Sequence, residues 1–525
     1  MKNCMIKILA LAAVAAVMVV TSAIMPATAA ERSGVLRWGG DSEGGFPYMF
    51  PNPGNIEELT GFEVDIVNEL AAYLDMESEY INNAWDNLIP GLQRGLYDIA
   101  INGLEVTPEH EEAVNFSIPY YKTFLQLAVR NETADINSLE DCRGKIVGTL
   151  RESYAQMVLD ELGDVDVRTY IVEANAYDDL MNGRLEAALF DSPIAIYSAG
   201  FNPEIKFVGE PIGEIIYAIA LTKQNRELLT KINEGIVYLR DSGKLREIYD
   251  RWNLWSPVMA VEFNDYSPRS VEMTNYNEWA DFQREEMTFA KRLSRYWSML
   301  PTFGEAAILT LKVSITAMVI ASVFGLILAI ARIFAPKWIS LAAVTFIEFM
   351  RGTPLLIQLF FIFYGLPNVG ITLDRFWAGA IGLGLNYAAY EAEIYRAGLY
   401  AIQRTQWEAA LALGMTRWQA MREVILPQSF RVVIPPVTND FISLLKDSSL
   451  VSTITLVDLT KAYGQVAGTY YDYFGTGIIV ALIYLLIGLP FVLFSRYTER
   501  RLAEQDKDGK KGIALNYYRT TTRWH

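Results

Sequence analysis

The chain has 525 residues, is 52% hydrophobic, and carries 45 Lys+Arg against 61 Asp+Glu, a formal net charge of −16. That length leaves room for two or three domains, and the acidity argues against a nucleic-acid-binding protein. Its mean hydropathy of +0.16 is high for a purely soluble protein. The charge is also uneven. Residues 31–256 hold 39 acidic and 18 basic side chains, a balance of −21; because the whole chain is −16, the remainder carries +5. An acidic front half and a mildly basic, apolar back half suit two compartments.

Residues 1–30 read as a signal peptide. Lys2 and Lys7 flank the start, an apolar run extends from Ile8 to Val20, and Ala27-Thr28-Ala29-Ala30 offers a small-residue cleavage site. The run is short for a membrane span, so residues 31 onward are expected outside the cell membrane. Cys4 precedes the run, which leaves Cys142 alone in the mature chain and without a disulfide partner.

Residues 31–256 read as an α/β domain. Val35–Gly39, Tyr97–Ile101, Lys145–Gly148 and Leu185–Phe190 have strand character, and Phe62–Leu74 has apolar residues at helical spacing with Asp65 and Glu69 opposite. The alternation predicts parallel sheets. Ligands of such sheets sit at the carboxyl ends of strands, where Asp41, the stretch Asn102–Glu105 and Asp191 fall.

Gly61-Phe62-Glu63-Val64-Asp65-Ile66, Trp85–Leu92, Thr107–Tyr120, Leu139–Gly148 and Asp241–Trp252 follow in an order that resembles the amino-acid type of bacterial extracellular solute-binding protein (family 3). The resemblance implies a two-lobed periplasmic-binding-protein fold that closes over one small polar solute. It implies that Trp85 stacks on the ligand, that Gly103, Glu105 and Ser153 line the cleft, and that Asp191 receives an α-amino group, as charge pairing in a drying cleft requires. The competing reading of Trp85 is a core aromatic. One departure stands out. The family usually has Arg three residues after Thr107, where it grips the ligand carboxylate; His110 stands there instead, and imidazole cannot make that fork. Glu105 and Glu152 replace residues that are usually uncharged. A cationic ligand, or one without a free α-carboxylate, is therefore expected, unless Arg151 substitutes for the missing clamp.

Residues 257–303 form a connector with a surface helix over Glu278–Leu300. From 304 to 500 five apolar segments follow, near 306–333, 342–366, 376–400, 432–458 and 474–495, each about long enough to span a bilayer. Arg and Lys cluster in alternate loops, which puts those loops and the 501–525 tail in the cytoplasm and the binding domain outside. Between the third and fourth segments lie Glu408-Ala409-Ala410, Gly414, and Val424-Ile425-Leu426-Pro427. This pattern resembles the coupling loop of ABC importer permeases, where two helices around a glycine turn dock on the ATPase. Glu348–Leu356, Ala389-Tyr390, Gln406-Trp407-Glu408 and Leu444–Leu450 further resemble the polar amino-acid subfamily of these type I permeases. Glu393 and Arg396, three apart, are expected to pair. Glu391 stands where an uncharged residue is usual, lining either a solute path or an interface.

The reading is a multidomain protein: a two-lobed α/β binding domain followed by an all-α five-span transmembrane permease, together the solute-binding and permease subunit of an importer. No Gly-x-x-x-x-Gly-Lys-Ser/Thr loop occurs, so no cofactor is expected on this chain and a separate ABC ATPase subunit is expected to use the ATP. A permease homodimer in the bacterial inner membrane, in contact with lipid, is expected. Two other readings remain open, a membrane-tethered sensor and an outer domain with dehydratase-like acid/base chemistry.

Overall fold

The computed structural model describes residues 34–507, apart from 44, 201, 285–287 and 471. The expected signal peptide and most of the expected tail lie outside the described residues. The chain divides into two units, one running to Thr302 and including Tyr463–Gly477, the other formed by Phe303–Ala462 and the residues from Ile478 on.

The first unit has two lobes, each with a five-stranded sheet. In the first sheet the order is Glu77–Asn82, Val35–Gly40, Ile99–Ala100, Ala220–Leu221, Asn115–Phe116. Val35–Gly40 shows the two-residue period of a strand. Leu36 and Trp38 are buried, while Arg37 between them turns to Asp98 with a side-chain contact of 2.7 Å. In the second sheet the order is Ile205–Tyr217, Tyr121–Arg130, Ala187–Asp191, Ile146–Leu150, Asp166–Tyr170. Both sheets are mixed, which corrects the expectation of parallel sheets. Ala220–Leu221 runs antiparallel to both its neighbours, and Tyr121–Arg130 antiparallel to both of its own. The reason is the double crossing between lobes. The chain leaves the first lobe after Phe116 and returns before Ala220, and the returning strands must run backwards. The two crossings hydrogen-bond each other, Tyr120 N–H to the Tyr217 carbonyl at 3.1 Å and Ser117 N–H to that of Ile219 at 2.9 Å.

The helix Phe62–Tyr73 packs Phe62, Ile66, Val67 and Leu70 into the core. Asp65, on its other face, accepts from the Trp252 indole N–H at 2.9 Å. Cys142 is a buried free thiol, pushed up to about 11 by burial. The segment expected as a plain connector instead extends this core. Met259, Trp279 and Ala280 are buried in it, and the Trp279 ring lies 4.7 Å from that of Tyr197. The expected surface helix is divided: Thr274–Arg284 belongs to the connector, whereas residues from 289 open the long helix Phe289–Phe334.

The second unit is helical. Phe289–Phe334 and Tyr473–Arg500 are long and apolar enough to cross a membrane, and Lys337–Gly352 with Leu355–Val369 forms a pair bent by 109°. The bend falls at Thr353-Pro354, where proline lacks the N–H that would continue the helix. The Gln358 side chain caps the opened turn, donating to the Met350 carbonyl and the Thr353 hydroxyl, both at 2.8 Å. Asn386 donates to the Gln358 side-chain oxygen at 3.1 Å. The expected segment 376–400 matches the helix Arg375–Tyr400, whereas 432–458 falls partly on the helix Leu426–Asp447 and partly on the tighter turn Ser448–Ile454 that follows it; both helices are more polar and fall short of that apolarity.

Candidate functional site

Between the two lobes lies a cavity of about 70 Å³ whose lining includes Asp41, Trp85, Gly103, Glu105, Ser153 and Asp191. Each is positioned by the end of a regular element. Asp41 follows the strand Val35–Gly40; Gly103 and Glu105 follow Ile99–Ala100; Asp191 ends Ala187–Asp191; Ser153 caps the helix Tyr154–Leu162, its hydroxyl accepting from Gln156 N–H at 3.2 Å. Gly103 has φ of +58°, and a Cβ there would meet the Tyr48 ring at 3.1 Å, so backbone conformation and space both select glycine.

Hydrogen bonds fix the acids. Asp41 accepts from the backbone N–H groups of Trp85 and Glu43, each at 3.0 Å, and the Trp85 indole N–H donates to the Asn102 carbonyl at 3.0 Å. The Asp191 carboxylate accepts from the hydroxyls of Tyr48 and Tyr217, which stand 3.0 Å from each other. Glu105 reaches from the first lobe to the second, accepting from Tyr154 N–H at 2.8 Å. Behind the cavity Glu63 accepts from Gly103 N–H at 2.7 Å and the Tyr120 hydroxyl at 2.5 Å. Burial takes charge out of water and raises carboxyl pKa values. It lifts Glu63, Glu105 and Glu173 to about 8 and raises Asp191, with the Asp191 charge adding repulsion on the other three.

Two expected cleft residues are absent from the lining. The His110 ring turns back on its own loop, with Nδ1 at 2.9 Å from the Glu105 carbonyl, inside the short helix Pro108–Ala113 capped by Thr107. The Arg151 guanidinium pairs across the lobes with Asp86, its side chain 43% exposed, and stands outside the lining. Conversely, Tyr48, Glu43, Glu173 and Phe190 line the cavity though the sequence did not single them out. Glu63 was legible only as part of a motif. Tyr48 comes from a loop ahead of the hairpin Phe50–Asn52/Asn55–Thr60 and Glu173 from a helix start after an edge strand; no local pattern marks either.

In the second unit Glu408, Ala409 and Ala410 lie on the helix Arg404–Ala412, with Gly414 at φ +82° in the turn. Thr416 and Gln419 form a capping box, and the helical chain continues into Leu426–Asp447, where Leu426 and Pro427 open the last segment. Glu408 and Ala409 are exposed, Leu413 is 80% exposed, and Ala410 is buried. Glu408 and Arg404 approach to 3.3 Å. Glu393 is clasped by Arg396, with contacts of 3.0 and 2.7 Å, and by Arg332. Glu391 is fully buried on the helix Arg375–Tyr400, with the Tyr395 hydroxyl beside its carboxylate.

Residues 38–254 match the model of the bacterial extracellular solute-binding proteins, family 3, and residues 290–504 that of the binding-protein-dependent transport system inner membrane component. The probable amino-acid ABC transporter permease protein YckA of Bacillus subtilis is 39% identical over 194 residues, 37% of this chain and 86% of the relative. The chain belongs to the amino-acid ABC transporter permease family. The arginine transport system permease protein ArtQ of Bacillus subtilis is 35% identical over 208 residues, 39% of this chain and 95% of that one. Among solved structures, an ancestral arginine-binding protein bound to glutamine is 31% identical, covering 43% of this chain and all of its own, with a TM-score of 0.40. The importer thus joins in one polypeptide a two-lobed solute-binding domain and a helical inner-membrane permease.

Proposed function

We propose that this chain captures a small polar, amino-acid-like solute between its outer lobes and passes it through its own permease, driven by a separate ABC ATPase. One observation carries this reading: a single polypeptide holds both an acid-lined inter-lobe cavity and an exposed helix–Gly–helix loop at residues 404–427. The exposed Leu413 beside Glu408 and Ala409 supports that loop as the ATPase docking surface, because small residues admit close approach and an apolar side chain adds area. ATP is used by the partner; no cofactor is assigned to this chain.

The orientation has the binding domain outside and the 404–427 loop and C-terminus inside, supported by the Arg-rich loops. Five spans are proposed, the two more polar helices being shielded by their neighbours; Asn386 and Gln358 in one of the contacts support this, since polar groups in a bilayer need internal partners. A second copy of the permease completes the pore. Closure of the lobes on solute and ATP-driven closure of the partner then bias the spans between outward and inward states. Fusion keeps the binding domain at a high effective concentration for its own permease. The permease match over most of its relatives' length supports import over a tethered sensor or a dehydratase.

The test is reconstitution of the full chain with its ATPase in proteoliposomes. Solute-stimulated ATP hydrolysis together with solute uptake is expected. ATP hydrolysis without uptake would leave a sensor.

A further inference from the structure

The cavity lining has a charge pattern that import alone does not require. Five carboxylates, those of Asp41, Glu43, Glu105, Glu173 and Asp191, line it, and no Lys, Arg or His does among the described residues. An α-carboxylate would enter a field of like charge. It would also find donors already engaged. The amides of Gly103 and Tyr154 go to Glu63 and Glu105 at 2.7 and 2.8 Å, and those of Trp85 and Glu43 go to Asp41. The Ser153 and Thr149 hydroxyls donate to the Leu150 and Leu189 carbonyls, each at 2.8 Å. The amide at the start of Tyr154–Leu162, a natural seat for an anion, holds the protein's own Glu105.

The acceptors are differently placed. Glu173 lines the cavity at 2% exposure at the start of the helix Glu173–Met181, where its carboxylate accepts from its own backbone N–H and makes no ion pair among the described residues. A buried carboxylate with a single local donor and no counter-charge is costly unless a ligand completes it. Tyr48, Trp85 and Phe190 add aromatic faces to the wall, surfaces that attract alkylammonium groups. No three acids among the described residues converge in a way that would hold a metal ion, so the complement is an organic cation.

We infer that the cavity takes a small organic ammonium ion that carries no carboxylate, a diamine above all, with ammonium groups received by Asp191 and Glu173 and its alkyl chain on Trp85 and Tyr48. This rests on the importer reading and narrows it. The test uses the full chain in nanodiscs at pH 8.5, where Glu173 is ionised, with calorimetric binding of 1,4-diaminobutane, L-arginine and L-glutamine, and the same titrations on Glu173→Gln. The expected result is diamine binding at least tenfold tighter than either amino acid, weakened about tenfold or more by Glu173→Gln, a change that removes charge while keeping shape. Tighter binding of either amino acid, or a Glu173→Gln protein that binds diamine unchanged, overturns the inference and leaves an ordinary amino-acid importer. If none of the three binds, the inference falls while the importer reading stands, since solute-stimulated ATP hydrolysis and uptake in proteoliposomes test that reading separately.

Discussion

The inter-lobe cavity and the 404–427 loop are built in opposite ways. In the cavity, polar groups are buried, and two of the acids are set by donors from other parts of the chain: Asp191 by Tyr48 and Tyr217, Glu105 by Tyr154. In the loop, all determinants fall within 24 residues, and its Glu408 and Leu413 are exposed. Enclosure makes electrostatics strong and specific. Exposure makes it weak, so the loop relies on backbone shape and apolar area. The same charge change should therefore be costly in one region and mild in the other.

Asp191→Asn is the largest expected effect. It removes a charge held by two buried hydroxyls on the cavity wall, at an expected cost of about 2–5 kcal/mol in binding; titration of the full chain in nanodiscs would read it, and a loss below threefold would break the contrast. Next comes Gly414→Val. A β-branched residue at φ +82° is strained by roughly 1–2 kcal/mol, with nothing nearby to clash. Solute-stimulated ATP hydrolysis should fall about tenfold while solute affinity stays unchanged, which separates shape from charge.

pH sharpens the cavity side. Glu105 and Glu173, raised by burial to about 8, are protonated at pH 6 and ionised above 8. Affinity for a cation should rise as pH goes from 6 to 8.5, by up to about tenfold per unit for each proton released. The stability sign is opposite. A folded-state pKa above the ordinary value of 4.5 gives stability that is present below 4.5 and lost as pH rises through 8. The ligand-free melting temperature should fall across that interval, and Glu105→Gln should flatten the fall. The smallest effect is Arg151→Ala. Its pair with Asp86 is 43% exposed on the Arg side, so solvent screening limits it to about 0–1 kcal/mol. A tenfold loss of solute affinity would instead revive Arg151 as a ligand clamp.

Much was legible because some signals are local. Glu408-Ala409-Ala410, Gly414 and Leu426-Pro427 carry helix, turn and helix by short-range sterics alone. The strand ends gave Asp41, Glu105 and Asp191 because a parallel strand's carboxyl end is a topological position that alternation reveals. Glu393 and Arg396 met because three residues is nearly one helical turn. The bend at Thr353-Pro354 had its proline in view, yet one continuous segment over 342–366 was expected.

What the chain determined by itself was the alternation that makes a two-lobed α/β domain, the apolar segments that make a permease, and the loop between two of them. Only the tertiary structure decided which acids share one cavity, that Tyr48 and Glu173 join them, that His110 folds back on Glu105's carbonyl, and that Arg151 is spent on Asp86. The physical reason is range. Helix, strand and turn preferences act over a few residues, whereas the Tyr48–Asp191 contact joins positions 143 apart, and such contacts are chosen by burial and charge after the lobes have formed.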